Sequence, residues 1–283
     1  CAAEDTAVLP AVYELKTDNH GVDRVLIPER LQGSFRLDGV KFSYGDNPPA
    51  LIVPGLDIQA GERVGILGPI GSGKSTLLRL LSGLYAPVEG RVLIDGLDIS
   101  HISREVINRQ MGYLQQEHRL FQGTLRENLL IGMPDPGDEI FRRAMQRTGM
   151  DQFVQSHPKG LDRLIMEGGK GLSGGQRQLL AFTRLVLADT PILLLDEPTA
   201  NMDQEQERRC LDVLTQEAQA GKTIVIVTHK PSLLPLVNRL IVINGNRIML
   251  DGPRDEVLAK FTARAPVPAS PQASRPVAIT TTA

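Results

Sequence analysis

Gly68-Pro69-Ile70-Gly71-Ser72-Gly73-Lys74-Ser75 has the spacing G-x-x-x-x-G-K-[ST]. The chemistry this run supports is the cradling of phosphate. Glycines let successive backbone N–H groups turn inward without a Cβ clash, which makes an anion-binding nest. A helix that starts at the same point aims its positive end at the anion. In that geometry Lys74 reaches β- and γ-phosphates and the Ser75 hydroxyl ligates Mg2+. A second run, Ile192-Leu193-Leu194-Leu195-Asp196-Glu197, closes an apolar stretch with two carboxylates. At the C-terminal edge of a sheet, Asp196 would hold Mg2+ through water, and Glu197 is free to orient or deprotonate an attacking water. Many strands end in Asp, so it is the pairing with the glycine-rich loop that gives this run its weight. A third run, Leu172-Ser173-Gly174-Gly175-Gln176, begins its Ser173 23 residues before Asp196. It is a second hydroxyl-and-glycine nest ahead of a helix. One nucleotide needs one nest, and this chain carries two.

These residues need particular elements to position them. Arg63–Leu67 reads as a strand running into the glycine-rich turn, and Ser75–Leu81 as the helix after it. Ile192–Leu195 and Ile224–Val227 are wholly apolar, as strands buried on both faces of a parallel sheet are. Helical Gln204–Ala218 joins them into a βαβ crossover. Phe35, Leu37, Val40, Phe42 and Tyr44 suggest half-buried antiparallel strands, and Arg91–Ile94 a further short strand. Asn244-Gly245, between Leu240–Ile243 and Arg247–Leu250, marks a hairpin. Glu139–Met150 reads as a helix outside the sheet. The fold class is therefore α/β, with an antiparallel β patch early and a helical insertion in the middle.

Composition narrows the function classes. Lys+Arg 31 against Asp+Glu 33 leaves a net charge of -2, so no global basic field attracts nucleic acid or an anionic membrane. Two cysteines, Cys1 and Cys210, cannot build a disulfide framework, and no Cys/His cluster has zinc spacing. The apolar runs are far shorter than the roughly 18 residues a membrane helix needs. No signal peptide is visible. The opening residue is Cys rather than Met, which reads as a piece of a longer protein. Residues 1–32, with six acids and three bases, read as an entry linker. Phe261–Ala283, with four prolines, six alanines and no acid, reads as a disordered tail.

In this order, Tyr44, the loop Gly68–Ser75, Gln116, Leu172–Gln176, Asp196-Glu197, Asp203 and His229, the sequence resembles the nucleotide-binding domain of ABC transporters. The resemblance runs from about Gly33 to Lys260. It implies the ABC ATPase fold: a P-loop NTPase core with a mostly parallel sheet, an N-terminal antiparallel β subdomain and a helical subdomain at about 117–178. It also implies roles. Tyr44 stacks on adenine. Gln116, rather than its neighbour Gln115, senses Mg2+ and water and links to the membrane subunit. Asp203 crosses the dimer, and His229 touches the γ-phosphate. Catalysis then falls to Glu197, His229 and Gln116, and the metal to Ser75, Gln116 and Asp196. Nucleotide binding falls to Tyr44, Gly68, Pro69, Ile70, Gly71, Ser72, Gly73, Lys74, Ser75, Thr76, Ser173, Gly175 and Asp203.

The function implied is an ATP-hydrolysing motor with ATP and Mg2+. Two ATPs would lie between paired copies, with Lys74, Ser75, Asp196 and Glu197 from one copy facing Ser173 and Gly175 of the other. The partners are that second copy and an exporter's transmembrane domain at the cytoplasmic face of the inner membrane, with no nucleic acid. Glu167 and the stretch Leu120–Asn128 resemble the exporter branch. The strings Gly68–Gly73, Thr199–Asp203 and Thr228–Ser232 resemble the ATPases of bacterial type I protein secretion. Asn201 departs from the family's usual Ser, and Gln115 from its frequent Pro. The competing readings are a soluble ABC-type ATPase acting on DNA or ribosomes, and a cassette that binds without hydrolysing. The first would need a coiled-coil insertion or a tandem cassette, and the second is at odds with Glu197 and His229.

Overall fold

The computed structural model describes residues 29–263, together with a short backbone pairing of Tyr13–Glu14 with Ile27–Pro28. Most of the expected linker and all of the tail beyond Ala263 lie outside the described residues. Leu31 is already buried in the core, and the backbone amides of Gln32, Gly33 and Ser34 donate to the Asp95 carboxylate. At the other end the last helix carries on past Lys260 to Ala263.

One ten-stranded sheet organises the chain. Its strands are β1 (Phe35–Phe42), β2 (Leu51–Ile58), β3 (Arg63–Leu67), β4 (Glu89–Ile94), β5 (Leu97–Asp98), β6 (Met111–Leu114), β7 (Ile192–Asp196), β8 (Thr223–Val227), β9 (Arg239–Asn244) and β10 (Arg247–Pro253). Across the sheet the order is β5-β4-β1-β2-β10-β9-β3-β8-β7-β6. From β9 to β6 all neighbours are parallel, while β5-β4-β1-β2 is antiparallel. Every residue of β7 and β8 is buried, which is why both read as unbroken apolar runs rather than alternating ones. The helices α1 (Lys74–Leu81), α2 (Arg104–Gln110), α3 (Leu125–Leu129), α4 (Asp138–Thr148), α5 (Met150–Gln155), α6 (Gly174–Ala188), α7 (Gln204–Gln219) and α8 (Arg254–Ala263) complete the order. Helix α7 is the crossover between β7 and β8, as the sequence pattern requires.

The structure shifts several local readings. Strand β2 has no counterpart in the sequence reading because Pro54-Gly55 interrupts its pattern. Pro54 is tolerated because it falls opposite Gly39, between the pairs Val40–Val53 and Asp38–Gly55. The segment Glu139–Met150 is two helices rather than one. Gly149 sits between α4 and α5 at φ 80, a left-handed position that ends the first helix. In the β9–β10 hairpin Asn244 pairs with Arg247, so the two turn residues are Gly245 and Asn246. Both have positive φ, 55 and 64, the signature of a type I′ turn one residue later than the Asn-Gly string suggests. Tyr44 lies two residues beyond the end of β1, not in it.

Helices α3 to α6 form a separate layer with its own core, built on Phe141, Met145, Phe153, Leu125 and Leu180. Arg184 of α6 fastens this layer. Its guanidinium donates to the carbonyls of Asn128 (2.5 Å) and Arg119 (2.8 Å), and burial pushes its pKa down to about 10. Asn128, itself fully buried, bonds both the N–H and the C=O of Phe121. The stretch after Gln116 is thereby tied to the helix that Ser173 starts.

Candidate active site

The glycine-rich loop leaves the C-terminal end of β3 and feeds α1, so phosphate-facing amides stand at the edge of the parallel sheet. Gly73 caps α1 with φ 107, which frees the backbone to point inward. Lys74 is almost fully buried, and its Nζ donates to the carbonyls of Gly68 (2.6 Å) and Pro69 (2.8 Å). The ammonium is thus folded back into its own loop. Burial lowers its pKa, while Glu197 and Asp196 act the other way. Ile70 lines the cleft although it is 95 % exposed. Lys74→Ala removes the one cationic side chain of the loop Gly68–Ser75. A charge-assisted contact of about 1.5–3 kcal/mol disappears, so nucleotide affinity falls roughly tenfold or more. Titration calorimetry with a non-hydrolysable nucleotide reads this out, and unchanged affinity would remove Lys74 from the site.

Strand β7 carries Asp196 to the same edge, between β8 and β6. Asp196 is buried. Its Oδ2 accepts from Ser75 Oγ at 2.7 Å and its Oδ1 from Gln116 Nε2 at 3.2 Å. Residues from three separate runs of sequence therefore meet at one carboxylate. Glu197 follows with φ 48, a left-handed conformation that a side chain of this kind adopts at a cost of about 1–3 kcal/mol. Its N–H donates to Val227 O at 2.8 Å, which helps hold it there. The Glu197 Oε2 accepts the backbone N–H of His229 at 3.4 Å, and His229 Nε2 lies 3.5 Å from Oε1. Burial pushes the Glu197 carboxyl above the usual carboxylate range, against the pull of His229. A base of raised pKa is the better proton acceptor near neutrality.

Tyr44 stands at the far end of the cleft, with its ring edge-on to Phe42 (4.9 Å) and Tyr85 (5.7 Å). Its hydroxyl is 2.9 Å from Thr76 Oγ1 and accepts from Arg79 at 3.2 Å. The cleft between Tyr44 and the carboxylates has a volume of about 560 Å³. Lys74, Ser75, Thr76, Gln116, Glu197 and His229 line it. So do Pro49, Ala50, Gly245 and Asn246, which the sequence reading left unassigned. The Asn246 amide donates to Pro49 O at 2.9 Å, and the Asn246 carbonyl accepts from Ile52 N at 2.9 Å. The signal for this wall was the hairpin string at 244–246, visible as a turn but silent about what the turn touches.

Ser173, Gly175 and Asp203 are not among the residues lining this cleft. Ser173 caps α6 in a capping box: its Oγ accepts from Gln176 N (3.0 Å), and Gln176 Oε1 accepts from Ser173 N (2.9 Å). Asp203 caps α7, its Oδ1 accepting from Gln206 N at 2.8 Å. At Gly175 a Cβ would lie 2.8 Å from the Asn201 carbonyl, so the two loops pack too closely for any side chain. Glu167 accepts the N–H of Gln122 at 3.2 Å and joins the segment before Ser173 to the stretch after Gln116.

A family model described as ABC transporter matches residues 54–200, more than half of the chain. The chain belongs to the ABC transporter family. It is the ATP-hydrolysing, nucleotide-binding domain of that family, with the corresponding mixed-sheet fold. An ATP-dependent lipid A-core flippase of Chromohalobacter salexigens is 35% identical over 241 residues, 84% of this chain and 41% of that protein. The mycobactin import ATP-binding/permease protein IrtB of Mycolicibacterium thermoresistibile is 36% identical over 252 residues, 88% of this chain and 43% of that protein. A solved structure of a bacterial Atm1-family ABC exporter with ATP bound matches with TM-score 0.77 and 31% identity, covering 83% of this chain and 41% of that one. The chain spans about two fifths of the length of these relatives. Among its described residues no helix is long and apolar enough to cross a membrane.

The side chains of this ABC domain fit a magnesium nucleotide. Ser72 Oγ and Glu197 Oε1 are buried with no hydrogen-bond partner among the described residues. Leaving such atoms unpaired costs about 1–3 kcal/mol each, which a phosphate oxygen would relieve at Ser72 and a water at Glu197. Ser75, Asp196 and Gln116, the residues expected to hold a metal, would offer oxygen donors, the set a hard cation prefers. Since Gln116 commits its Nε2 to Asp196, its Oε1 is the atom left to face a metal. Among the described residues no three His, Cys, Asp or Glu side chains cluster as a protein-only cage would need.

Proposed function

We propose that this chain is the motor of an ABC exporter, closing on a second copy around two ATPs and driving a transmembrane partner from the cytoplasmic face of the inner membrane. One observation carries the reading. The cleft gathers the phosphate loop, Gln116 and Glu197, with Asp196 bonded to Ser75 and Gln116, while Ser173 and Gly175 form a second nest that lies outside its lining. A head-to-tail pair brings that nest to the neighbouring copy's γ-phosphate. Closure is then favoured by ATP because only the closed pair gives the γ-phosphate both sets of contacts.

The residues divide the work. Tyr44 offers its face to the adenine. The loop amides and Lys74 hold the phosphates. Ser75, Asp196 and Gln116 would hold Mg2+, which neutralises charge on the β- and γ-phosphate oxygens. Glu197 takes a proton from the attacking water as its oxygen bonds to the γ-phosphorus and the bond to the bridging oxygen breaks. His229, beside Glu197, supplies a donor to the γ-phosphate. Tyr44→Ala tests the far end of the cleft. Stacking reads a π-face and not its edge, so ATP and GTP should both weaken, by about 1–3 kcal/mol. Equal binding by parent and variant would make Tyr44 a packing residue alone.

For the cargo, we infer protein or peptide of the type I secretion kind. The support is the spelling of Gly68–Gly73, Thr199–Asp203 and Thr228–Ser232; the relatives described above carry other cargo in their names. Cells relying on the Glu197→Gln form of the full polypeptide should lose a secreted protein from the medium. An unaltered secreted fraction with an altered lipid or small-molecule export would move the cargo to that class.

A further inference from the structure

Gln178 lies in α6, five residues beyond Ser173, and is buried. Its Nε2 donates to the carbonyls of Pro198 (2.7 Å) and Glu197 (3.3 Å). These two bonds settle which end of the amide is which: the nitrogen faces the carbonyls, and Oε1 points the other way. Oε1 meets His118 Nε2 at 2.5 Å. An oxygen without hydrogen needs a donor there, so His118 carries its proton on Nε2. His118 stands two residues after Gln116, whose own amide is bonded to Asp196.

The bonds close a ring. It runs from Gln116 to Asp196, along the backbone to Glu197, through Gln178 to His118, and back along the chain to Gln116. Glu197 is the strained member, with φ 48. A left-handed residue with a side chain persists only where its surroundings over-determine it. Val227 fixes its N–H, and its C=O accepts both the Ala200 N–H (3.1 Å) and Gln178 Nε2 (3.3 Å), the only side chain of the two. Neither Gln178 nor His118 lines the nucleotide cleft.

We propose that Gln178 and His118 are positioning residues that bind the Gln116 loop and the Ser173 helix to the backbone of Glu197, so that the metal-side amide, the second nest and the catalytic carboxylate move as one body. The proposal rests on the roles given to Gln116 and Glu197 above. Its consequence is that loss of the ring misplaces the carboxylate without touching a nucleotide contact.

The test compares steady-state ATP hydrolysis and nucleotide affinity in the purified chain and its variants. His118→Leu removes the donor. His118→Gln puts an amide nitrogen near the place of Nε2. His118→Leu should lower kcat about tenfold while nucleotide affinity stays within about twofold, and His118→Gln should recover most of the rate. Gln178→Leu should cost as much as His118→Leu, and the double variant little more, because the pair acts as a unit. Equal losses in His118→Leu and His118→Gln would reduce His118 to packing and overturn the proposal, as would additive losses in the double variant. If His118→Leu fails to fold, His118→Asn takes its place: it stays polar but is too short to reach Gln178, and it should show the same loss. Glu197→Gln run alongside separates the two layers of argument. If Glu197→Gln is inactive and His118→Leu hydrolyses at the parent rate, the ring fails alone. If Glu197→Gln hydrolyses normally, the role of Glu197 fails first.

Discussion

Glu197→Gln is expected to slow ATP hydrolysis by about 10²–10⁴ and to trap an ATP-bound pair. The amide keeps the size and reach of the carboxylate but cannot take a proton from water. Binding survives, because Lys74, Ser75, Asp196 and the loop amides are untouched. With the γ-phosphate left in place, the contacts to Ser173 and Gly175 of the second copy persist, and the pair stays closed. Size-exclusion chromatography with Mg-ATP should show a dimer for Glu197→Gln and a monomer without nucleotide. Adding Ser173→Arg should return the monomer, since a bulky side chain then fills the second nest. A variant that binds ATP, does not hydrolyse it and remains monomeric would count against the two-nest arrangement while leaving the base intact. The parent enzyme supplies a further check. Burial raises the Glu197 pKa, so hydrolysis should fall on acidification before an ordinary carboxylate would be protonated.

The parts of this site legible in the sequence are those whose chemistry is local. A phosphate nest needs its glycines, lysine and hydroxyl in one turn, so Gly68–Ser75 announces itself. The same holds for Ser173–Gly175 ahead of α6, and for the apolar run that carries Asp196 to the sheet edge. The parallel core was legible for a related reason: β7 and β8 are buried on both faces, and their only polar residues, Asp196 and Thr223, stand at an end. What the sequence withheld depends on contacts between distant segments. Gln178 reads as one amide in a helix until the fold places it against Pro198 and His118, 20 and 60 residues away. His118 stands in no motif that would mark it. Tyr85 and Arg79 carry no motif, yet they fix how Tyr44 sits. Strand β2 was lost because Pro54 is a breaker by local rules, and only its place opposite Gly39 makes it harmless.

Gly68 and Gly71 separate the two reasons for a glycine in the phosphate loop, and their substitution should differ sharply. At Gly68 a Cβ would lie 2.0 Å from the Ile243 carbonyl and 2.8 Å from Ser72 Oγ, at φ 154. The carbonyl belongs to β9, the parallel neighbour of β3, and cannot turn away without breaking the sheet. Gly68→Ala must therefore displace the start of the loop itself. Forcing extra atoms into packed structure costs about 1–3 kcal/mol, and disfavoured backbone a similar amount again. For a domain of this size that corresponds to a melting temperature lower by roughly 4–24 °C. Because Lys74 Nζ donates to Gly68 O, the shift also moves a carbonyl that holds the ammonium in the loop. Nucleotide binding should fall with stability. At Gly71 the φ is 77, but nothing lies within 4 Å of the added Cβ. Gly71→Ala faces only the left-handed penalty, about 1–2 kcal/mol, and should melt within a few degrees of the parent. Scanning calorimetry of the two variants, each with and without nucleotide, makes the comparison. Equal melting temperatures would mean that β9 yields to the new methyl, and that the loop is not braced against the sheet at Gly68.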